Sequence, residues 1–307
     1  MKLLRYSYRK IEQYGILRQN KAVCLPKLAQ CLDVKLPRRL EDFVALGLQT
    51  AEDVEKLVGE VSEKDIETAT NPLGNVKLLA PILSPPKIIC LGLNYRDHAK
   101  EQNAVIPDEP IIFMKPHTAI VGPNENIVKP CFVNQLDYEA ELVIVVGKKT
   151  KNVPISEAQF HIFGYSIMND VSARDIQFKD RQWTRGKSFD TFAPIGPCII
   201  TANQLQDTSN LSIRTWVDGE PRQNSSTSNM VFNVSEIVHH LSRVMTLEPC
   251  DIIATGTPAG VGFAWKPQPK FLQAGNVVRI EIEKIGILEN AVVDGEPNPR
   301  LNTPHSG

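Results

Sequence analysis

The 307-residue chain has a formal net charge of −1, with 42% apolar and 22% charged residues, the proportions of a globular protein. That balance excludes a general nucleic-acid or anionic-membrane surface, either of which needs a basic excess. No apolar run approaches the roughly 18 residues of a membrane span, and the opening MKLLRYSYRK lacks the apolar centre of a signal peptide, so a cytoplasmic home is expected.

Residues 1–78 differ in texture from the rest. YGILRQNKAVCLP (14–26) reads as two short strands around a polar turn. Two helical patterns come next, at 38–48 and 50–61, the second with Thr50 and Asp53 at capping-box spacing, and a further helical turn starts at Ser62. This part is expected to be a small α/β domain without chemistry of its own. The Pro- and Gly-rich stretch NPLGNVKLLAPILSPPK (71–87) marks its boundary.

Beyond that boundary the pattern turns to short strands: 87–93, 110–115, 140–148, 163–171, 193–201, 211–219, 251–256, 277–286 and 288–293. Helical patterns are few: PISEAQFHIFG (154–164) and SEIVHHLSRVMT (235–246), the latter capped at Ser235 with an apolar face of Ile237, Leu241 and Val244. Many strands with few helices predict a mainly β domain over 79–307, barrel or sandwich, ending in a loose tail from Gly295. The six cysteines (Cys24, Cys31, Cys90, Cys131, Cys198 and Cys250) form no CxxC pair and read as reduced structural residues.

Five stretches carry chemistry. In QLDYEAELVIVVGKKT (135–150), Asp137, Glu139 and Glu141 alternate at the entrance of an apolar strand. Side chains at i and i+2 of a strand share a face about 7 Å apart, where two charges repel by roughly 2–3 kcal/mol at an effective dielectric near 20. Water relieves that repulsion at a surface; in a cleft a hard divalent cation such as Mg²⁺ or Mn²⁺ does so. Both readings fit this spacing alone. GYSIMNDVSARD (164–175) supplies a second acidic strand end at Asp170, with Arg174 beyond it as a substrate-carboxylate contact or an ion-pair partner.

GLNYRDHAKEQ (92–102) places His98 and Glu101 three apart, one face of a helical turn, where a carboxylate orients an imidazole as a general base. A surface turn has the same spacing. RGKSFDTFAPIGP (185–197) sets Lys187 beside an apolar, aromatic run, and IIATGTPAGVG (252–262) is a strand entering a glycine turn whose amides can approach a carboxylate or enolate. The six histidines show no zinc-hydrolase spacing such as HExxH.

In this order, GLNYRDHAKEQ, PIIFMKP, DYEAELVIVVGKK, NDVSARDIQ, GKSFDTFAPIGP and ATGTPAGVG resemble the fumarylacetoacetate hydrolase family over about residues 80–293. The resemblance implies a mixed β-sandwich roll around Mg²⁺ or Mn²⁺, commonly as a homodimer. It implies Glu139, Glu141 and Asp170 as metal ligands and Lys187 as the active-site lysine. Arg174, Gln177 and Thr255 become substrate contacts, and His98 with Glu101 an acid–base pair on a mobile lid. Asp137 matches no ligand. The implied chemistry is enolate chemistry on a small 2-oxo acid, with acylpyruvase-type C–C hydrolysis placed slightly ahead. Oxaloacetate tautomerisation or decarboxylation and 2-hydroxymuconate-type isomerisation or decarboxylation come close behind. A catalytically silent binding protein is the non-enzyme alternative; its mark would be loss of a metal carboxylate, Lys187 or the His98–Glu101 pair.

Overall fold

The structure is a computed structural model and describes residues 1–179 and 182–296; the tail expected from Gly295 lies mostly outside the described residues. Its main feature is a 12-stranded sheet whose centre is built by Ala193–Thr201, Ile162–Asn169, Ala140–Val146, Ile252–Ala254, Ile88–Gly92 and Ile111–Lys115, in that spatial order. A second sheet of five strands includes Ser212–Val217, Val277–Ile282 and Gly286–Asp294. The fold is mostly β, as the strand density predicts. No helix among the described residues is long and apolar enough to cross a membrane.

The Ala140–Val146 strand is buried over its whole length because both of its faces are covered. Leu142, Ile144 and Val146 join one core with Ile213, Ile280 and Leu288 of the five-stranded sheet. Val143 and Val145 join another, shared with Phe43, Val44 and Val54 of the N-terminal helices. An unbroken apolar run is what two covered faces demand. Glu141 shares the parity of Val143 and Val145, so the acids fall on the side where the strand's apolar lining ends.

The large sheet runs on through the N-terminal segment. Lys2 and Leu3 pair with Ile200 and Ile199, and the strands Ile11–Arg18, Lys21–Cys24 and Thr70–Pro72 extend that edge. Phe43 of the helix Leu40–Ala45 is fully buried and meets Phe163 edge-on, ring centroids 6.4 Å apart. Segment 1–78 therefore shares both a sheet and a core with the β-rich remainder of the chain.

Two helix starts differ from the sequence reading. The helix Leu48–Glu60 begins at Gly47, so Thr50 lies inside its first turn and donates back to the Leu46 carbonyl, making no box with Asp53. The helix Val234–Val244 is capped earlier than expected, by Asn233: its side chain accepts from Ser235 and Glu236 amides while Glu236 accepts from the Asn233 amide. Val244 is then 70% exposed, although Ile237 and Leu241 are buried. Ser62 does cap the helix Glu63–Thr68, accepting from the Asp65 amide. All six cysteines are free, four buried and Cys31 and Cys131 exposed.

Because Phe43 bridges the N-terminal helices and the central sheet, Phe43→Ala is expected to cost about 3–5 kcal/mol. Chemical denaturation monitored by both fluorescence and far-ultraviolet circular dichroism should show one displaced transition. An early separate transition of the N-terminal segment would contradict the shared core.

Candidate active site

The two acid-bearing segments are brought together by the ladder itself. Ala140 pairs with Asn169 and Asp137 with Ser172, so the chain between Asp137 and Ala140 lies beside Asp170. The strand is not continuous there: Leu136–Asp137 and Ala140–Val146 are separate, and the amides between them need other partners. Side chains supply them, since the Glu139 amide donates to Asn169 Oδ1 and the Ala140 amide to Gln223 Oε1, each at 3.0 Å. The break leaves Glu139, Glu141 and Asp170 buried, each offering one carboxylate oxygen within 4.8 Å of the others.

Three cations balance these acids. Lys187 Nζ donates to Glu139 Oε2 at 2.7 Å and to Asp170 Oδ2 at 2.9 Å. Lys115, at the end of the Ile111–Lys115 strand, donates to Asp170 Oδ1 at 2.6 Å and to the Val171 carbonyl at 3.1 Å. Arg174 donates from Nε to Asp137 Oδ2 at 2.9 Å and pairs with Glu139 Oε1 at 2.6 Å. Burial opposes ionisation of Glu139, but Lys187, Arg174 and His98 outweigh it and hold its carboxyl down at about 2.

Glu141 is different. One of its oxygens accepts from the Gly256 amide at 2.7 Å, while Oε1 is buried with no hydrogen-bond partner. Burial, then the charges of Asp170 and Glu139, push its carboxyl well above the usual range. An unpartnered buried carboxylate oxygen facing two further carboxylates is a hard, all-oxygen donor set, which suits Mg²⁺ or Mn²⁺. These residues fit the divalent ion that the sequence resemblance implies.

Asp137, which the sequence left without a role, proves to be a fastener. Besides Arg174, it accepts from the amides of Gly262 at 2.6 Å, Phe263 at 3.1 Å and its neighbour Tyr138 at 2.9 Å. The glycine turn after Ile252–Ala254 is thus bound to acids along its length, with Gly256 on Glu141, Gly260 on Glu101 at 2.9 Å and Gly262 on Asp137. Those three amides are taken by the protein's own carboxylates. Gly260 has φ +104°, and a Cβ there would stand 2.2 Å from the Arg222 carbonyl oxygen. A larger residue would break the turn.

His98 and Glu101 lie on the short helix Arg96–Glu101, as their spacing predicts, with His98 Nδ1 2.6 Å from Glu101 Oε1. His98 Nε2 lies 2.7 Å from the Gln102 side-chain nitrogen. An amide nitrogen can only donate, so Nε2 is the accepting nitrogen and Nδ1 carries the hydrogen toward Glu101. His98, Gln102, Glu139, Arg174, Gln177, Lys187 and Thr257 line a cavity of about 80 Å³, roofed by Phe113, Phe178, Trp183 and Phe263. Trp183 is seated on Gly92, where a Cβ would come within 2.1 Å of its ring. Larger grooves, among them ones of about 660 and 820 Å³, lie elsewhere among the described residues; the converging charges, not size, pick out this cavity.

Of the residues singled out in the sequence, His98, Glu139, Arg174, Gln177 and Lys187 line this cavity, and Glu141 and Asp170 lie beside it. Gln177 Oε1 accepts from Arg174 Nη1 at 2.9 Å. Thr255 does not reach the cavity: its hydroxyl donates to the Leu142 carbonyl at 2.9 Å, inside the sheet. Thr257, two residues on, is the turn threonine at the cavity. Lys115 was missed, because a lysine closing an apolar strand reads as a side chain reaching for solvent. Gln102 was missed as well, although its i+4 spacing to His98 was visible beside the i+3 spacing of Glu101.

Comparison with known proteins places this geometry. Residues 87–293 match the family model described as fumarylacetoacetate (FAA) hydrolase C-terminal. The chain is 45% identical to the fumarylacetoacetate hydrolase domain-containing protein 2 homolog of Dictyostelium discoideum, over 92% of each chain. It is 46% identical to the oxaloacetate tautomerase fahd2, mitochondrial, of Xenopus laevis, over 85% of this chain and 80% of that one. Among solved structures, fumarylacetoacetate hydrolase from psychrophilic Exiguobacterium antarcticum superposes with a TM-score of 0.82 at 37% identity, covering 96% of this chain and all (100%) of that one. Maleylpyruvate hydrolase from Sphingobium sp. SYK-6, in complex with manganese(II) and pyruvate, gives 0.76 at 29% identity over 96% of this chain and 100% of the other.

The charges lead to two expectations. Since Glu141 holds its proton to higher pH than an ordinary glutamate, Mn²⁺ must displace that proton. Affinity should therefore rise with pH until the raised pKa is passed. Calorimetric heats should differ between buffers of different ionisation enthalpy, and Glu141→Gln should abolish that difference along with most of the affinity. Asp137→Ala leaves Arg174 Nε and the Gly262 and Phe263 amides without their acceptor, while Glu139 and Gln177 still hold the guanidinium, and is expected to cost about 1–3 kcal/mol in denaturant unfolding.

Proposed function

This chain belongs to the fumarylacetoacetate hydrolase family, and we propose that it is a divalent-metal-dependent tautomerase interconverting the enol and keto forms of a small 2-oxo diacid of the oxaloacetate class. The observation that carries the reading is the meeting, at one small cavity, of the accepting His98 nitrogen with a buried cluster of carboxylates and cations. Four buried acids (Asp137, Glu139, Glu141, Asp170) stand against three buried cations (Lys115, Arg174, Lys187), so 3 − 4 = −1 when all are ionised. A divalent ion turns that sum to +1, a charge suited to an anionic substrate.

Glu139, Glu141 and Asp170 would hold the ion, which when bound supplies Lewis-acid stabilisation of negative charge on a 2-oxo oxygen. Arg174 and Lys187 present positive charge at the cavity wall and draw the substrate's carboxylates. Both stack on aromatic rings: Arg174 lies 4.5 Å from the Phe263 centroid and the Lys187 ammonium 5.1 Å from that of Phe113. Those contacts and the ion pairs hold the cations in place before substrate arrives. His98, kept in one tautomer by Glu101, takes the enol hydroxyl proton at Nε2 and delivers it to C3, and runs the same transfer backwards from keto to enol. No water has to attack, and no carbon–carbon bond has to break.

The relatives move tautomerisation ahead of the acylpyruvase chemistry that the sequence placed first, since the chain is over 40% identical to proteins named as oxaloacetate tautomerases. Hydrolysis stands second, supported by the likeness to maleylpyruvate hydrolase and by the His98–Glu101 pair, which can activate a water once Gln102 leaves Nε2.

Protein loaded with Mn²⁺ is expected to accelerate decay of the oxaloacetate enol absorbance without releasing pyruvate. His98→Ala should lower kcat by about 10²–10⁴-fold while leaving Mn²⁺ binding intact. Faster turnover of acetylpyruvate or fumarylpyruvate into free acid and pyruvate would replace this reading with the hydrolytic one.

A further inference from the structure

The helix Arg96–Glu101 runs directly into Gln102, and this residue occupies the only accepting atom of the base. A neutral imidazole has one acceptor nitrogen. Here that nitrogen is His98 Nε2, and Gln102 caps it at 2.7 Å. His98 is 6% exposed, and both side chains face the cavity. With the cap in place the base takes a proton from nothing. If it is to work, the Gln102 amide must leave, and this part-buried side chain then turns its N–H either to solvent or to a new acceptor in the cavity.

The cavity wall offers the departing amide little. Arg174 and Lys187 are donors only, and the acceptors on the wall are already engaged: Gln177 Oε1 by Arg174, the Glu139 oxygens by Arg174 and Lys187, and Thr257 Oγ1 by Gln223. A substrate's second carboxylate would be a strong acceptor in the right place. We propose that Gln102 is a specificity-determining positioning residue, a latch that caps His98 in the unliganded protein and releases it when the distal carboxylate of a 2-oxo diacid accepts its amide. A 2-oxo monoacid that binds through its 1-carboxylate and 2-oxo group leaves the latch closed. This deepens the tautomerase reading and rests on it for the substrate's first carboxylate.

The test compares oxaloacetate with 2-oxobutyrate, which lacks the second carboxylate, by monitoring enolisation of each as exchange of C3 hydrogen for deuterium. In the wild-type protein with Mn²⁺ the ratio of the two kcat/KM values should favour the diacid. Gln102→Leu should lower that ratio at least tenfold, and Gln102→Glu, which repels a second carboxylate, should lower it further. An unchanged ratio in both variants overturns the latch.

A second measurement needs no turnover and so separates failure of the latch from failure of the tautomerase reading. In the ¹⁵N spectrum of the resting protein, Gln102→Leu should move the His98 Nε2 resonance downfield, as loss of an accepted hydrogen bond requires. Saturating malate should produce the same displacement in the wild type, and saturating lactate should not. A resonance unmoved by the substitution, or moved equally by malate and lactate, overturns the proposal even if oxaloacetate is turned over.

Discussion

Everything in this molecule that bears on chemistry depends on keeping a set of like charges together out of water. Two unit charges 4 Å apart interact by about 4 kcal/mol at an effective dielectric near 20, and Glu139, Glu141 and Asp170 stand within 4.8 Å of one another. The fold meets that repulsion unequally. Glu139 and Asp170 are each held by two cationic groups, whereas Glu141 has a single backbone amide. The uneven pairing makes one carboxylate strongly ionised and another reluctant. A cation arriving at the triad thus gains most from the oxygen that the protein itself leaves without a partner.

The same constraint explains the backbone around the site. A regular strand would have carried the acids outward at even spacing; the break between Asp137 and Ala140 lets the chain sink while side-chain acceptors satisfy the freed amides. The glycine turn closes the opposite wall, and its amides are aimed at three carboxylates in succession. One of these is Glu101, which therefore touches both the base and the turn. Displacing the turn would disturb His98 as well as the metal ligands, so the base and the triad are tied into one mechanical unit.

Much of this was legible in the sequence because strand parity is a strong signal. The alternate acids, the buried apolar run after them and the second acidic strand end at Asp170 emerge from period-two reasoning alone. What escaped it depends on partners distant in the chain. Lys115 acquires meaning only when its strand end lies against Asp170, 55 residues away. Asp137 has the parity of a ligand, yet its oxygens are consumed by Arg174 and the turn. Thr255 and Thr257 are equivalent by composition; the sheet takes the first, whose hydroxyl bonds to Leu142, and leaves the second to the cavity. At Asn233 the misreading was local, since asparagine and Ser235 both cap helices well and only the box with Glu236 decides between them.

The size of the cavity bears on which reaction such a site supports. Ligand pockets commonly enclose roughly 300–1,000 Å³, and this one holds about 80 Å³, with aromatic rings above and the His98 helix at its side. Enolate chemistry on a 2-oxo acid branches according to whether a water stands beside the substrate with a free base to activate it. In this arrangement room is scarce, which opposes attack by water, whereas the Gln102 cap holds back every step that uses His98 Nε2, water activation and C3 proton exchange alike. Proton exchange at C3 requires the cap to move but requires no extra space, because the proton passes directly between substrate and imidazole. On the proposed tautomerase reading, the small cavity suits the branch that adds no atoms to its substrate.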